Sequence, residues 1–130
     1  MLQIKPIEEK SEQERICALC GVEYNPDLLA YAAYSDGELS AICQFTMRGS
    51  VGYIYSLSPI SGSYDADALY VAGRSALNFI DLCGVHFAVY YGSDEALATR
   101  IGFSKNETEP QYTMDLTGVF EGGCSCCGKK

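Results

Sequence analysis

Residues 65–91 read DADALYVAGRSALNFIDLCGVHFAVYY, and this stretch decides the fold. Leu69, Ala72, Ala76, Ile80 and Cys83 recur at steps of three and four, the spacing that gathers one buried face of a helix over Asp65–Cys83. Asp65 and Asp67 stand at its start, where carboxylates complement the helix dipole. Gly84 stands just past its end, where a left-handed residue closes the last turn. Val85–Tyr91 is then a continuous apolar run that predicts a strand buried on both faces. Upstream, Val51–Leu57 reads as a strand carrying Tyr53 and Tyr55, with Ser58-Pro59 as its stop. Strand, crossover helix and strand together make a βαβ unit.

The flanking residues extend this unit in both directions. Ile16, Leu19 and Cys20 follow helical spacing between Ser11 and Gly21, with Ser11 as the expected cap, Glu14 completing a capping box and Gly21 as the terminator. Leu28–Tyr34 and Leu39–Met47 are rich in strand formers, and the Asp36-Gly37 pair between them suits a tight hairpin. Arg48-Gly49-Ser50 supplies the next turn. Beyond the crossover, Ser93 is the expected cap of a short helix ending at Ile101, with Asp94 and Glu95 in its first turn. Gln111–Leu116 reads as a closing strand, and Gly122–Lys130 as a tail.

Composition bounds the rest. A chain of 130 residues, 48% hydrophobic and 20% charged, supports one domain with a real core and argues against disorder. Nine basic against seventeen acidic residues give a net charge of −8, which repels phosphate backbones and anionic lipid, so neither nucleic acid nor membrane is an expected partner. The N-terminal residues resemble no secretory signal and no stretch reaches the length of a membrane span, so a cytoplasmic protein is the expectation. No sequence feature assigns an oligomeric state.

The order strand, helix, three-strand meander, long helix, strand, short helix, strand resembles the GNAT acetyltransferase superfamily over roughly residues 1–117. Leu57-Ser58-Pro59, followed by a loop and a helix, is similar to the family's Val-x-Pro junction, and Arg100-Ile101-Gly102-Phe103 is similar to the Lys-Leu-Gly-Phe string that ends its short helix. The resemblance implies an α/β, three-layer domain over 1–117 with a mixed central sheet and a long crossover helix, followed by a Cys-rich tail over 118–130. It also implies an acyl-CoA-dependent N-acetyltransferase, with acetyl-CoA held by Leu57, Pro59, Gly62, Ser63 and Tyr64.

The implied site departs from the family pattern. Where the family has Arg/Gln-x-x-Gly-x-Gly/Ala to cradle a pyrophosphate on backbone N–H groups, this chain has Gly62-Ser63-Tyr64-Asp65-Ala66-Asp67. Gly62 replaces the first residue, and Asp65 and Asp67 fall on the two small positions. At about 8 Å and an effective dielectric of about 40, each unit pair between an aspartate and the phosphates repels by roughly 1 kcal/mol, so acetyl-CoA is expected to bind weakly. No carboxylate lies on Val51–Leu57, and Ala98 stands where the family commonly has a tyrosine acid, so no catalytic residue is assigned. His86 reads as a partly buried strand histidine with its hydrogen bonds satisfied.

Seven cysteines, an odd number without an export signal, point to free thiols or a metal and not to a disulfide framework. Cys124, Cys126 and Cys127 lie on a glycine-flanked tail, and Cys17 and Cys20 have a chelating spacing, so four thiolates from this set would suit zinc. Cys43 and Cys83 read as core thiols. Two functions stand side by side: an acyl-CoA-dependent N-acetyltransferase of unknown acceptor with a degenerate site, and a non-catalytic GNAT-fold module that binds a small-molecule ligand, a metal or a protein.

Overall fold

A computed structural model describes residues 1–105 and 111–120. Nine elements follow one another: β1 (Leu2–Pro6), α1 (Lys10–Cys20), β2 (Leu29–Ser35), β3 (Glu38–Arg48), β4 (Val51–Pro59), α2 (Ala66–Leu82), β5 (Phe87–Tyr90), α3 (Glu95–Ile101) and β6 (Tyr112–Asp115). The six strands form one sheet in sequence order, antiparallel throughout except for the parallel pair β4–β5 that α2 connects. The sequence-derived α/β class, mixed sheet and crossover helix are all present.

Local chemistry explains most of the boundaries. Asp36 (φ 52°) and Gly37 (φ 86°) both take positive φ, the geometry of the two-residue turn whose twist matches the paired strands. The Asp65 side chain caps α2 by accepting from Ala68 N at 3.1 Å, and Gly84 ends it at φ 88°. β4 runs two residues past its expected stop, because Pro59 pairs with Ala41 on one side and meets no strand on the other. A proline is tolerated where the ladder asks for no donor.

Some expectations need correction. α1 begins at Lys10 with Glu9 at the cap position and no side-chain cap, so the Ser11 box does not form. Gln13 is instead drawn fully into the interior, and Glu12 pairs with Arg15. Asp94, not Ser93, caps α3, accepting from Leu97 N at 3.1 Å. Cys83 falls beyond the last buried turn of α2 and is exposed, whereas Cys43 is buried as expected. β5 is shorter than the apolar run, and its burial alternates: Ala88 and Tyr90 face the core while Phe87 and Val89 do not. His86 precedes β5, is largely exposed, and contacts Asp81 through Nδ1 at 2.6 Å. Val119 and Phe120 pack on the core, so the fold extends past residue 117.

The sheet separates two apolar layers. On one face α2 and α3 cover Ala41, Cys43, Phe45, Ile54, Leu57 and Ala88. On the other, Ile16, Cys17 and Cys20 of α1 pack on Ala30, Ala32 and Ile42 of β2 and β3. Burial holds Cys17 above the ordinary thiol value and raises Cys20 to about 11. α1 therefore covers the β2–β3 half of its face, and the β4–β5 half presents Tyr53, Tyr55, Val89 and Tyr91.

Candidate functional site

β4 and β5 pair only where Gly52–Ile54 meets Ala88–Tyr90, with one further bond from Tyr91 N to Ile54 O at 3.0 Å. The register of β3 against β4 then shifts: Phe45 faces Ile54 while Gln44 faces Ser56, so Tyr55 is the extra residue of a bulge. A bulge bends its strand and sharpens the local twist. Past it the two parallel strands diverge, and the edge of β4 from Tyr55 to Pro59 has no strand beside it. Its backbone groups can pair with a bound molecule.

The gap is a cavity of about 660 Å³. Tyr55–Pro59 forms one wall, Tyr90 with Gly92–Asp94 the second, and the loop from Val22 to Pro26 with Leu28 the third. The loop is held by a buried polar chain that begins on α1. Gln13 Nε2 donates to Gln44 Oε1 at 2.9 Å, and Gln44 Nε2 donates to Glu23 O and to Ser56 Oγ, both at 2.9 Å. Lys10 Nζ donates to Gln13 Oε1 and to Leu28 O. Both glutamines are essentially inaccessible to solvent, and no buried side-chain polar atom among the described residues lacks a partner. Satisfied networks of this kind fix one geometry, here that of the third wall.

The sequence-derived ligand residues divide. Leu57 and Pro59 line the cavity. Gly62, Ser63 and Tyr64 follow in the loop to α2 and do not. Ser63 N–H is spent on Ile60 O at 3.0 Å, and Ser61 N–H on Leu19 O. The Asp65 carboxylate takes the first free amides of α2, accepts from Ser35 Oγ at 2.8 Å, and is held below the usual carboxylate range chiefly by the Ala68 N–H and then by Ser35. Asp67 is not an isolated charge, because Arg100 Nη2 reaches its Oδ1 at 2.9 Å. Tyr64 is exposed, and its hydroxyl donates to Asp94 Oδ2 at 3.0 Å, tying the α2 loop to the N-terminus of α3.

Four contributors escape sequence reasoning: Glu23, Gln44, Tyr90 and Asp94. Tyr90 sits under the Gly92 turn, and burial raises its phenol above the usual tyrosine value, so it stays protonated at neutral pH. Glu23 and Asp94 are the acidic residues among those that line the cavity. Ala98, fully buried, offers no functional group. Among the described residues no three metal-ligating side chains converge. Cys124, Cys126 and Cys127 lie outside the described residues, and Cys17 and Cys20 are buried under the sheet with their thiolates disfavoured.

No family model and no curated protein matches the sequence. Solved structures do match in shape. An IAA acetyltransferase from Bacillus cereus superposes with a TM-score of 0.70 at 15% identity, covering 89% of this chain and 100% of that one. The PaiA N-acetyltransferase of Thermoplasma acidophilum, in complex with coenzyme A, gives 0.69 at 9% identity over 88% and 99% of the two chains. The ribosomal-protein-S18-alanine N-acetyltransferase of Escherichia coli gives 0.66 at 10% identity over 89% and 94%. At such identities the likeness establishes the scaffold and leaves the chemistry to the site. The layer order, the parallel β4–β5 pair and these superpositions agree that the chain has the fold of GNAT-family acetyltransferase structures.

Proposed function

We propose that the cleft between β4 and β5 binds the thioester arm of an acyl-CoA and that the protein is an N-acyltransferase with a reduced diphosphate loop. The observation that carries this is the 660 Å³ cavity opened by the Tyr55 bulge, with an unpaired strand edge along one wall. An extended pantetheine arm carries amide groups at the spacing of a peptide, so it can pair with that edge as an added strand would. The match to several coenzyme-A-bound or acetyltransferase structures supports the same assignment.

The diphosphate end fits less well. Asp65 fills the amides at the start of α2 that an anion would need, and the Gly62–Tyr64 turn keeps Ser63 N–H for itself. Arg100 offsets the charge of Asp67, so Asp65 carries most of the penalty. When bound, acetyl-CoA supplies the activated acyl group. Of the two wall carboxylates, Asp94 is committed to Leu97 N and Tyr64, which leaves Glu23 to receive the acceptor's ammonium and take its proton, directly or through water. The Tyr90 phenol belongs to the second wall and stays protonated.

Calorimetric titration with acetyl-CoA in 150 mM salt tests the proposal, with an expected dissociation constant on the order of 100 μM or weaker. No heat at 2 mM acetyl-CoA would leave the fold without this ligand. Low-micromolar affinity would show that Asp65 does not obstruct the phosphates.

A further inference from the structure

We propose that the exposed tyrosine–arginine surface beside the cleft receives the acceptor, and that the acceptor is an aromatic amine bearing a carboxylate, of the aromatic amino-acid class. Naming this ligand the acceptor rests on the acyltransfer proposal above; its chemical class rests on the surface itself.

Tyr53, Tyr55 and Tyr91 stand together on the half of the sheet that α1 leaves open. Tyr53 and Tyr91 stack at 5.8 Å between centroids and 13° between planes, Tyr55 and Tyr91 lie 5.1 Å apart, and Tyr53 and Tyr55 6.1 Å. Tyr91 is 45% exposed. Three clustered aromatic rings, Tyr91 exposed and Tyr53 and Tyr55 half-buried, form a platform on which another flat ring can stack. The platform is continuous with the cavity, because Tyr55 belongs to both and Tyr91 directly follows the cavity residue Tyr90.

Arg48 sets the charge of the ligand. Its guanidinium lies over the Tyr53 and Tyr55 rings, 5.2 and 5.6 Å from their centroids, and its Nη2 donates to the Tyr55 hydroxyl. The chain has four arginines. Arg15 pairs with Glu12, Arg100 with Asp67, and Arg74 donates to the Ile101 carbonyl. Among the described residues Arg48 meets no carboxylate, in a protein of net charge −8. A planar fork held flat on aromatic rings matches a carboxylate through two parallel hydrogen bonds. Glu23, an exposed acidic residue, is among those that line the cavity and carries the opposite charge. A ligand with a carboxylate on Arg48, a ring on the tyrosines and an ammonium toward Glu23 satisfies all three. A polyamine would meet Arg48 as a like charge, and a carboxylate without an amine would leave Glu23 unanswered.

Calorimetry on the full chain with three probes separates these demands: L-phenylalanine, phenethylamine and 3-phenylpropionate. L-Phenylalanine should bind about tenfold more tightly than either of the others. Arg48→Gln should bring L-phenylalanine down to the level of phenethylamine while leaving phenethylamine unchanged, and Arg48→Lys should fall between. Tyr91→Ala should weaken L-phenylalanine and phenethylamine alike. Unchanged melting temperatures confirm that the exposed substitutions fold. Equal affinity for phenethylamine and L-phenylalanine, indifference to Arg48→Gln, or no binding of any probe overturns the proposal. If acetyl-CoA binds and L-phenylalanine does not, the acceptor class is wrong while acyl transfer stands; if L-phenylalanine binds and acetyl-CoA does not, the surface is a ligand site and acyl transfer is what fails.

Discussion

Replacing Gln44 by leucine removes the centre of the polar chain that fixes the third wall of the cleft. Three hydrogen bonds of 2.9 Å disappear together: the one accepted from Gln13 and those donated to Glu23 O and Ser56 Oγ. Their losses differ. Ser56 is half-buried beside the cavity, and Glu23 lies in an exposed loop, so water can replace Gln44 for both. Each then costs about 0.5–1 kcal/mol. Gln13 is sealed, and its Nε2 keeps only long contacts of 3.3 Å to Asn25 O and 3.4 Å to Leu28 O, so its loss approaches the cost of an unsatisfied buried donor, about 1–2 kcal/mol. The total is about 2–4 kcal/mol, read as the change in unfolding free energy in urea. The double variant Gln13→Leu with Gln44→Leu should cost at least about 1 kcal/mol less than the sum of the singles, since removing both partners leaves no orphaned group between them. Amide exchange over residues 22–28 should accelerate. A loss below about 1 kcal/mol for Gln44→Leu, or strict additivity in the cycle, would refute the role given to this chain.

Asp65→Gly should tighten acetyl-CoA binding several-fold by freeing the first amides of α2, while Asp67→Gly should change it less because Arg100 already offsets that charge; equal effects of the two would contradict the assignment. The same Asp65 substitution should destabilise the protein by up to about 1 kcal/mol at neutral pH, through the lost cap and the lost Ser35 bond. Because the folded-state pKa of Asp65 is lowered, its contribution is complete above the ordinary carboxylate pKa of about 4 and fades as pH falls through the lower folded value, so wild type and variant should converge in stability on acidification. Gly52→Ala should cost about 1–3 kcal/mol by thermal or urea melting, since a Cβ there would lie 2.7 Å from Cγ2 of the fully buried Ile80. With a thiol reagent and site-resolved mass spectrometry, Cys83 should label in the native protein while Cys17, Cys20 and Cys43 wait for unfolding.

The βαβ unit was legible because α2 has a strict apolar period and Asp65 and Gly84 mark its ends, features that depend on neighbours in sequence alone. Leu57 and Pro59 are expected acetyl-CoA ligands through the resemblance to the Val-x-Pro junction, and both line the cavity. The Tyr55 bulge that opens the cavity was not legible, since a single extra residue in β4 appears only against the register of β3. The sequence assigns Gln13 and Gln44 no role, and their burial together joins segments 31 positions apart in the chain. The strand-like run at residues 85–91 suggested burial on both faces, yet α1 stops short of β5 and leaves Val89 and Tyr91 open. Arg100 and Asp67 are 33 residues apart, so the partial neutralisation of the α2 loop also waited on the fold. In each case the missing information was a contact between distant segments.

The central claim is that the diverging edges of β4 and β5 hold the acyl-CoA thioester arm. Backbone amide NMR of the isotope-labelled protein, recorded while acetyl-CoA is added to 2 mM, reads that directly. The account predicts the largest shift changes at Tyr55–Ser58 and Gly92–Asp94, with smaller ones in the Val22–Asn25 wall. Unchanged spectra, or changes confined to residues away from these three segments, would contradict it.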